Sequence, residues 1–131
     1  MTDIELVMEF IAACDARDIE RVLSFFTPDC VYHNMPEEPL HGPEGVRSIL
    51  GPLFQNSEIV EFVVHAIAQA PNGAAFTERT DRFLIGGKWL SLPVAGVFEC
   101  KNGKITHWRD YYDSKDIQQQ FASIGLNSAG T

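Results

Sequence analysis

The chain has 131 residues, enough for one hydrophobic core but not for two, so we expect a single domain over residues 1–131. Its 18 acidic residues outnumber its 10 basic ones, and the net charge of -8 argues against binding to nucleic acid. No apolar run reaches the ~20 residues of a membrane span and the acidic N-terminus does not resemble a signal peptide, so we expect a cytoplasmic protein with no membrane partner.

Two helices are predicted at the start of the chain. Thr2 and Glu5 have the spacing of a capping box, which predicts a first helix that runs to about Cys14. Asp18 can cap a short second helix, and Pro28 is expected to end it because proline cannot continue a helix. The apolar residues expected to face a core are Ile4, Val7, Met8, Ile11, Ile19, Val22, Leu23 and Phe26.

A short strand and a third helix are predicted next. Residues 30–34, CVYHN, have the composition of a strand. Gly42 and Pro43 then open a helix, since proline in its first turn costs no hydrogen bond. The apolar stripe of this helix is Val46, Ile49, Leu50 and Leu53.

From Ser57 onward the sequence is typical of an antiparallel meander. Runs rich in β-branched and aromatic residues are separated by turn signals, of which Asn102-Gly103 is the strongest. Pro93 cannot donate to a strand ladder, so a bulge or an edge is expected there. A short helix is predicted to follow at 114–121, and 126–131 are expected to form a disordered tail. The four strand runs are 57–70, 74–85, 88–100 and 104–113.

Helices followed by strands predict an α+β fold, in which the helices cover one face of a curved antiparallel or mixed sheet. Successive side chains of a strand point to opposite faces, so Arg79 and Asp81 share the face of Phe83, and Asp110 shares the face of Trp108. If these faces are interior, a polar set lines a cavity between the sheet and the helices. Its five members are Tyr32, Asn34, Arg79, Asp81 and Asp110.

This polar set has more than one interpretation. Two carboxyl groups, a guanidinium, a phenol and an amide can carry out acid–base chemistry on a bound water. The same residues can be a structural salt bridge, or a solvated stripe if the strand faces are reversed. Neither the four histidines nor the three cysteines have the spacing of metal ligands, so no metal site is expected. The sequence also lacks a nucleophile elbow, a phosphate loop and a dinucleotide fingerprint.

Several motifs resemble those of a known family. The run DARDIERVLSFFTPDCVYHN, followed by HGPEGVRSIL and the meander, resembles the nuclear-transport-factor-two-like fold, a cone of helices and curved sheet around a deep pocket. Within that fold, YHNMP, ERTDRF and GVFECKNGKITHWRDYYD are similar to the limonene-1,2-epoxide hydrolase family. The similarity covers nearly the whole chain.

The resemblance implies a role for each polar residue. Tyr32 and Asn34 match the family's water-positioning pair, Arg79 and Asp81 match its Arg-x-Asp motif, and Asp110 matches its second aspartate. It implies a homodimer that opens a small apolar epoxide with water in one step, without a cofactor, to give a vicinal diol. Asp110 is then the base, Asp81 the protonated acid, and Arg79 the bridge between them. The walls of the substrate pocket are predicted to include Phe83, Leu92, Val94, Trp108 and Tyr112.

Two other functions stay open on the sequence. Another pocket enzyme of the same fold, similar to an isomerase or a polyketide cyclase, would use an aspartate base with an oxyanion site, not an acid with a held water. A noncatalytic dimer that binds a small ligand would not need two inward carboxyl groups in an apolar pocket.

Overall fold

The computed structural model describes residues 1–35 and 37–125. The helices are α1 (Asp3–Asp15), α2 (Ile19–Ser24), α3 (Gly42–Asn56) and α4 (Ser114–Ser123). The strands are β1 (Phe26–Asn34), β2 (Leu40–His41), β3 (Ile59–Gln69), β4 (Ala75–Ile85), β5 (Lys88–Lys101) and β6 (Lys104–Tyr112). None of the helices in these ranges has the length and apolar character needed to cross a membrane. The tail predicted at 126–131 lies outside the described residues.

The strands form one mixed sheet in the order β2-β1-β6-β5-β4-β3. Strands β3 to β6 make the predicted antiparallel meander, and β1 lies parallel to β6 on its other side. The parallel register places Tyr32 beside Trp108 and Asn34 beside Asp110. Polar residues that are far apart in the sequence therefore reach the same face at the same end of the sheet.

The predicted helix starts are confirmed in detail. The Thr2 hydroxyl accepts from the backbone N–H of Glu5, and the Glu5 carboxylate accepts from the backbone N–H of Thr2, which completes the capping box. The Asp18 side chain caps α2 through the backbone N–H of Arg21. These contacts satisfy donors that the first turn of a helix leaves unpaired.

Two helix predictions are wrong. The second helix ends at Ser24, and Pro28 lies inside β1, in the part where the pairing with β6 changes register. Proline is tolerated at such an irregularity because no regular ladder bond needs its missing N–H. Met8 is 40% exposed, because the buried stripe of α1 runs along another side. The stripe consists of Leu6, Val7, Phe10, Ile11, Ala13 and Cys14.

Pro93 produces no bulge. It lies opposite Thr80 in an uninterrupted β4–β5 register, whereas the β5–β6 register begins only at Val94. Of the two alternatives predicted for this position, the local edge is therefore the one observed. A proline is tolerated there because one side of the strand has no ladder to interrupt.

The helices close the inner face of the sheet. Phe10 of α1 packs edge-on against Trp108, with ring centroids 5.0 Å apart, at the centre of the core. At the other end, the Gln120 side chain of α4 accepts from Ser91 N–H at 2.9 Å and donates to the Ser91 carbonyl at 2.9 Å. Because these bonds hold α4 against β5, its apolar face can form a wall of a cavity.

Candidate active site

Arg79 lies at the centre of the candidate site, on β4, with a side chain that is inaccessible to solvent. Its Nε and Nη2 donate to the two carboxylate oxygens of Asp81 at 3.0 and 2.9 Å. Its Nη1 and Nη2 donate to the two oxygens of Asp110 on β6 at 3.3 and 2.9 Å. One guanidinium therefore binds two carboxyl groups, each through both oxygens, and holds them in a fixed relation.

The remaining N–H of Arg79 donates from Nη1 to the Thr77 hydroxyl at 3.0 Å, so all five donors of the guanidinium have partners. The rings of Phe62 and Phe98 lie 5.4 and 6.0 Å from its central carbon, close enough for cation–π attraction. The hydrogen bonds, the two carboxyl groups and the two aromatic rings therefore offset the cost of burying this cation. The solvated-stripe interpretation of the polar set is wrong.

Asp110 has a second donor besides Arg79. The indole Nε1 of Trp108 donates to Asp110 Oδ1 at 2.7 Å. The Tyr32 ring stacks on Trp108 with centroids 4.2 Å apart and planes inclined by 15°. The indole thus connects the phenol of β1 to the carboxyl group of β6.

Burial governs the protonation of the site. It raises the pKa of Asp81 to about 6; the Arg79 cation opposes this rise and the Asp110 charge adds to it. Burial also raises the pKa of Tyr32 well above its usual range, with a further rise from Asp110 and an opposing effect from Asn34. For Arg79, burial favours the neutral form, but the two carboxylates outweigh it and the pKa is raised. The site accordingly combines a cation, a neutral phenol and a carboxyl group that can be protonated near neutral pH.

A cavity of about 320 Å³ opens in front of this cluster, between the sheet and the helices. Asp81 and Asp110 face it, while Arg79 lies behind them and is not part of its wall. Most of the wall is apolar, and the polar residues Glu37, Glu38, Ser114 and Gln118 also contribute to it. The apolar wall residues are Leu40, Ile49, Leu50, Leu53, Phe62, Phe83, Leu92, Trp108, Ile117 and Phe121.

The structure brings together most of the residues predicted from the sequence. The predicted residues that line the cavity are Tyr32, Asn34, Asp81, Asp110, Phe83, Leu92, Trp108 and Tyr112. Val94 is not on the cavity wall: it is a buried residue paired with Arg79 on one side and Tyr112 on the other.

Sequence reasoning missed the helical half of the wall and two residues behind the cluster. The stripe of α3, with Ile49 and Leu53, was expected to face a core, and its periodicity cannot distinguish a solid core from a cavity. Thr77 and Gly96, which lie next to Arg79, were not predicted as site residues either. The signal for Gly96 was available, since a glycine in the interior of a strand often marks a close approach.

No group of three or more His, Cys, Asp or Glu residues within 1–35 and 37–125 has the arrangement of a metal site. Every buried side-chain nitrogen or oxygen in these ranges also has a hydrogen-bond partner. Because Asp81 and Asp110 both face the cavity and both contact Arg79, the arrangement can hold a water against one carboxyl group while the other carries a proton.

Comparison with known proteins gives matches over most of the chain. Residues 1–123 match a family model described as the limonene-1,2-epoxide hydrolase catalytic domain. Epoxide hydrolase EphG of Mycobacterium tuberculosis is 34% identical over 111 residues, which cover 85% of this chain and 73% of that protein. A solved LEH-like epoxide hydrolase from M. tuberculosis is 32% identical, covers 92% of this chain and 89% of its own, and superposes with a TM-score of 0.76.

More distant structures share the architecture. An NTF2-like protein from Cytophaga hutchinsonii is 18% identical, with coverage of 88% of this chain and 93% of its own and a TM-score of 0.71. At that identity the match is evidence for the fold alone. The predicted α+β fold of the nuclear-transport-factor-two-like type is confirmed.

Proposed function

The chain belongs to the limonene-1,2-epoxide hydrolase family, and on that premise we propose that it adds water to a small apolar epoxide, without a cofactor, to give a vicinal diol. The observation that carries the proposal is the pair of carboxyl groups that face one apolar cavity and are bridged from behind by one buried guanidinium. Opening an epoxide needs a base for the attacking water and an acid for the departing oxygen.

Asp110 is the base in this proposal. Its register partner Asn34 and the phenol of Tyr32 line the same cavity, and an amide with a phenol can hold a water against a carboxylate. The water oxygen forms a bond to one epoxide carbon as Asp110 removes a proton from the water. Burial keeps Tyr32 protonated and therefore able to donate a hydrogen bond.

Asp81 is the acid. Its pKa, raised to about 6 by burial, lets it hold a proton near neutral pH. The epoxide carbon–oxygen bond breaks as the oxygen takes that proton, which leaves the charge on Asp81 and the proton on Asp110. Passage of one proton from Asp110 back to Asp81, directly or through water, restores the starting state. Arg79 contacts both carboxyl groups, so it stabilises the negative charge on either one.

The size of the cavity supports the proposal that the substrate is about as large as limonene oxide. Its volume of about 320 Å³ lies at the lower end of the range for small-molecule sites. The helical wall, from Ile49 to Leu53 and from Ile117 to Phe121, is mainly aliphatic and aromatic, which favours a compact hydrocarbon body. An isomerase of the same fold would need hydrogen-bond donors for an enolate oxygen, and a protonated Asp81 with Tyr32 can supply them; the family match is what favours an epoxide.

The active form proposed is a homodimer of single-domain chains, each domain comprising residues 1–131. The outer face of the sheet supports this proposal, because Val63, Phe76 and Tyr111 are 39%, 47% and 44% exposed there. Such a face is suited to association. Light scattering during size-exclusion chromatography should give twice the chain mass of 14.6 kDa.

The proposed compartment is the cytoplasm, since the cysteines Cys14, Cys30 and Cys100 are unpaired.

Incubation of the purified protein with limonene oxide and with smaller and larger epoxides tests the function most directly. Diol formation detected by mass spectrometry, highest for substrates that fill the cavity, is the expected result. Absence of diol from every epoxide, or turnover of a ketosteroid in its place, would contradict the proposal and favour an isomerase of this fold.

A further inference from the structure

Gly96 lies in the interior of β5, a central strand, where glycine is normally unfavourable. Its backbone is not in the left-handed region, so conformational freedom does not explain the residue. Its space does. A Cβ at this position would overlap Arg79 Nη1 and would lie 2.6 Å from Asp110 Oδ1 and 3.0 Å from Thr77 Oγ1.

Strand register explains this crowding. Thr77 on β4, Gly96 on β5 and Asp110 on β6 form one row across three neighbouring strands. Arg79 lies two residues beyond Thr77 on the same face of β4, and its side chain reaches Asp110 by passing over Gly96. Any larger residue in the middle of the row would occupy the path of the guanidinium.

Thr77 is the third contact of the guanidinium. Its hydroxyl accepts from Arg79 Nη1 at 3.0 Å and donates to the Gly96 carbonyl at 3.3 Å, so the hydroxyl itself has a fixed orientation. Thr77 is only 4% exposed and does not line the cavity, so it has no route to a substrate. Any effect it has on the reaction must therefore pass through Arg79.

We infer that Thr77 and Gly96 together form a seat for the Arg79 guanidinium and are positioning residues for the proposed epoxide hydrolysis, on which this inference rests. Gly96 supplies the space and Thr77 supplies the acceptor for the one N–H that neither aspartate binds. Without that acceptor a buried charged donor is left unpaired, and the guanidinium moves to find a partner. Both carboxyl groups then lose their fixed relation.

The inference is tested with four variants. Thr77→Val removes the hydroxyl at nearly constant shape, and Thr77→Ser keeps it. Gly96→Ala adds one methyl group in the path of the guanidinium. Gly51→Ala is the matched control, because a Cβ there meets only Arg47 Cγ at 3.5 Å, an ordinary contact, and Gly51 itself is not among the residues of α3 that line the cavity.

Turnover with the best epoxide is measured first, together with the melting temperature of each variant. Thr77→Val should lower kcat roughly tenfold, the size expected for one hydrogen bond to a charged group, with KM little changed. Thr77→Ser should keep most of the activity. Gly96→Ala should lower kcat by about 10² or more, as expected for a displaced catalytic group. A structural role alone would lower stability without separating valine from serine in kcat.

Carboxyl-carbon NMR supplies a readout that does not require turnover. In Thr77→Val and Gly96→Ala the pKa of Asp81 should rise further, because the displaced cation no longer opposes the effect of burial. Thr77→Ser and Gly51→Ala should titrate like the wild type. The charged side chains that act on this titration are Arg79, Asp110 and Asp15, and the Asp81 charge in turn acts on Cys14 and Tyr32.

The outcomes separate the two hypotheses. If the wild-type protein forms no diol, the proposed function is contradicted. The NMR titration of Asp81 in the variants then still tests whether Thr77 and Gly96 form a seat for the guanidinium. If Thr77→Val and Gly96→Ala titrate like the wild type, or keep kcat within twofold of it, the seat is overturned even where diol formation is established.

Discussion

The indole nitrogen of Trp108 donates to Asp110 Oδ1 at 2.7 Å and thereby makes the two oxygens of this carboxylate inequivalent. Oδ1 also accepts from Arg79 Nη1 at 3.3 Å, whereas Oδ2 has Arg79 Nη2 as its side-chain donor, at 2.9 Å. Each carboxylate oxygen can accept about two hydrogen bonds. Oδ2 therefore has the spare capacity, and we expect it to be the atom that takes the proton from water.

Trp108→Phe should lower kcat about tenfold or more, because the phenyl ring keeps the aromatic wall but cannot donate to Asp110. Val22→Ala, a core substitution on α2 outside the cavity, is the control for lost packing. Steady-state kinetics and thermal melting are compared for both. If both variants lose activity only in proportion to stability, the indole hydrogen bond has no role in catalysis.

Asp81→Asn and Asp110→Asn should each nearly abolish diol formation, since each removes one acid–base partner at similar shape. Loss of general acid or base assistance is expected to cost ~10²–10⁴ in rate. Asp29→Asn, at an exposed position of β1, controls for the charge change. Circular dichroism verifies that the variants are folded, and near-normal turnover in either folded active-site variant would refute the assignment.

Arg79→Lys should fail although the positive charge is kept. A guanidinium has five donors in a planar fork, and here it binds both oxygens of two carboxyl groups; an ammonium cannot reproduce that geometry. Arg109→Lys, on a partly exposed ion pair with Glu99, is the matched control. Retention of most activity in Arg79→Lys would mean that charge alone is sufficient and that the bridge does not orient the aspartates.

The pH dependence of kcat/KM should show a fall on the alkaline side. Asp81 must be protonated to act as the acid, and its pKa is raised by burial to about 6. The fraction of the free enzyme with a protonated Asp81 therefore declines as the pH rises through this pKa. A kcat/KM that increases steadily from pH 6 to pH 8 would be incompatible with a protonated Asp81 as the acid.

The interior position of the polar set was predictable from the sequence because strand alternation has a strict period of two. Phe83 and Trp108 are the kind of residues that face a core, so they fixed the side on which Arg79, Asp81 and Asp110 lie. All three are buried. The pairing of their strands followed from turn residues such as Asn102 and Gly103, whose φ values of 53° and 76° fit a tight hairpin.

Features that depend on distant pairing were not predictable. The parallel register of β1 with β6 pairs residues that are about 76 positions apart, such as Tyr32 and Trp108, and no local pattern encodes it. The bond from Trp108 to Asp110 and the space above Gly96 depend on side-chain packing, which strand alternation alone does not specify. Pro28 misled the prediction because a proline can end a helix or occupy an irregular strand, and local sequence does not choose between them.

The origin of the new diol oxygen tests the central proposal most directly. Asp110 is proposed as a base that activates water, so no residue forms a covalent bond to the substrate. In a single turnover in heavy-oxygen water, the first diol should already contain solvent oxygen, with no label in any aspartate and no ester adduct by mass spectrometry. First-turnover diol with unlabelled oxygen drawn from Asp110 or Asp81 would contradict one-step hydrolysis and establish a covalent route.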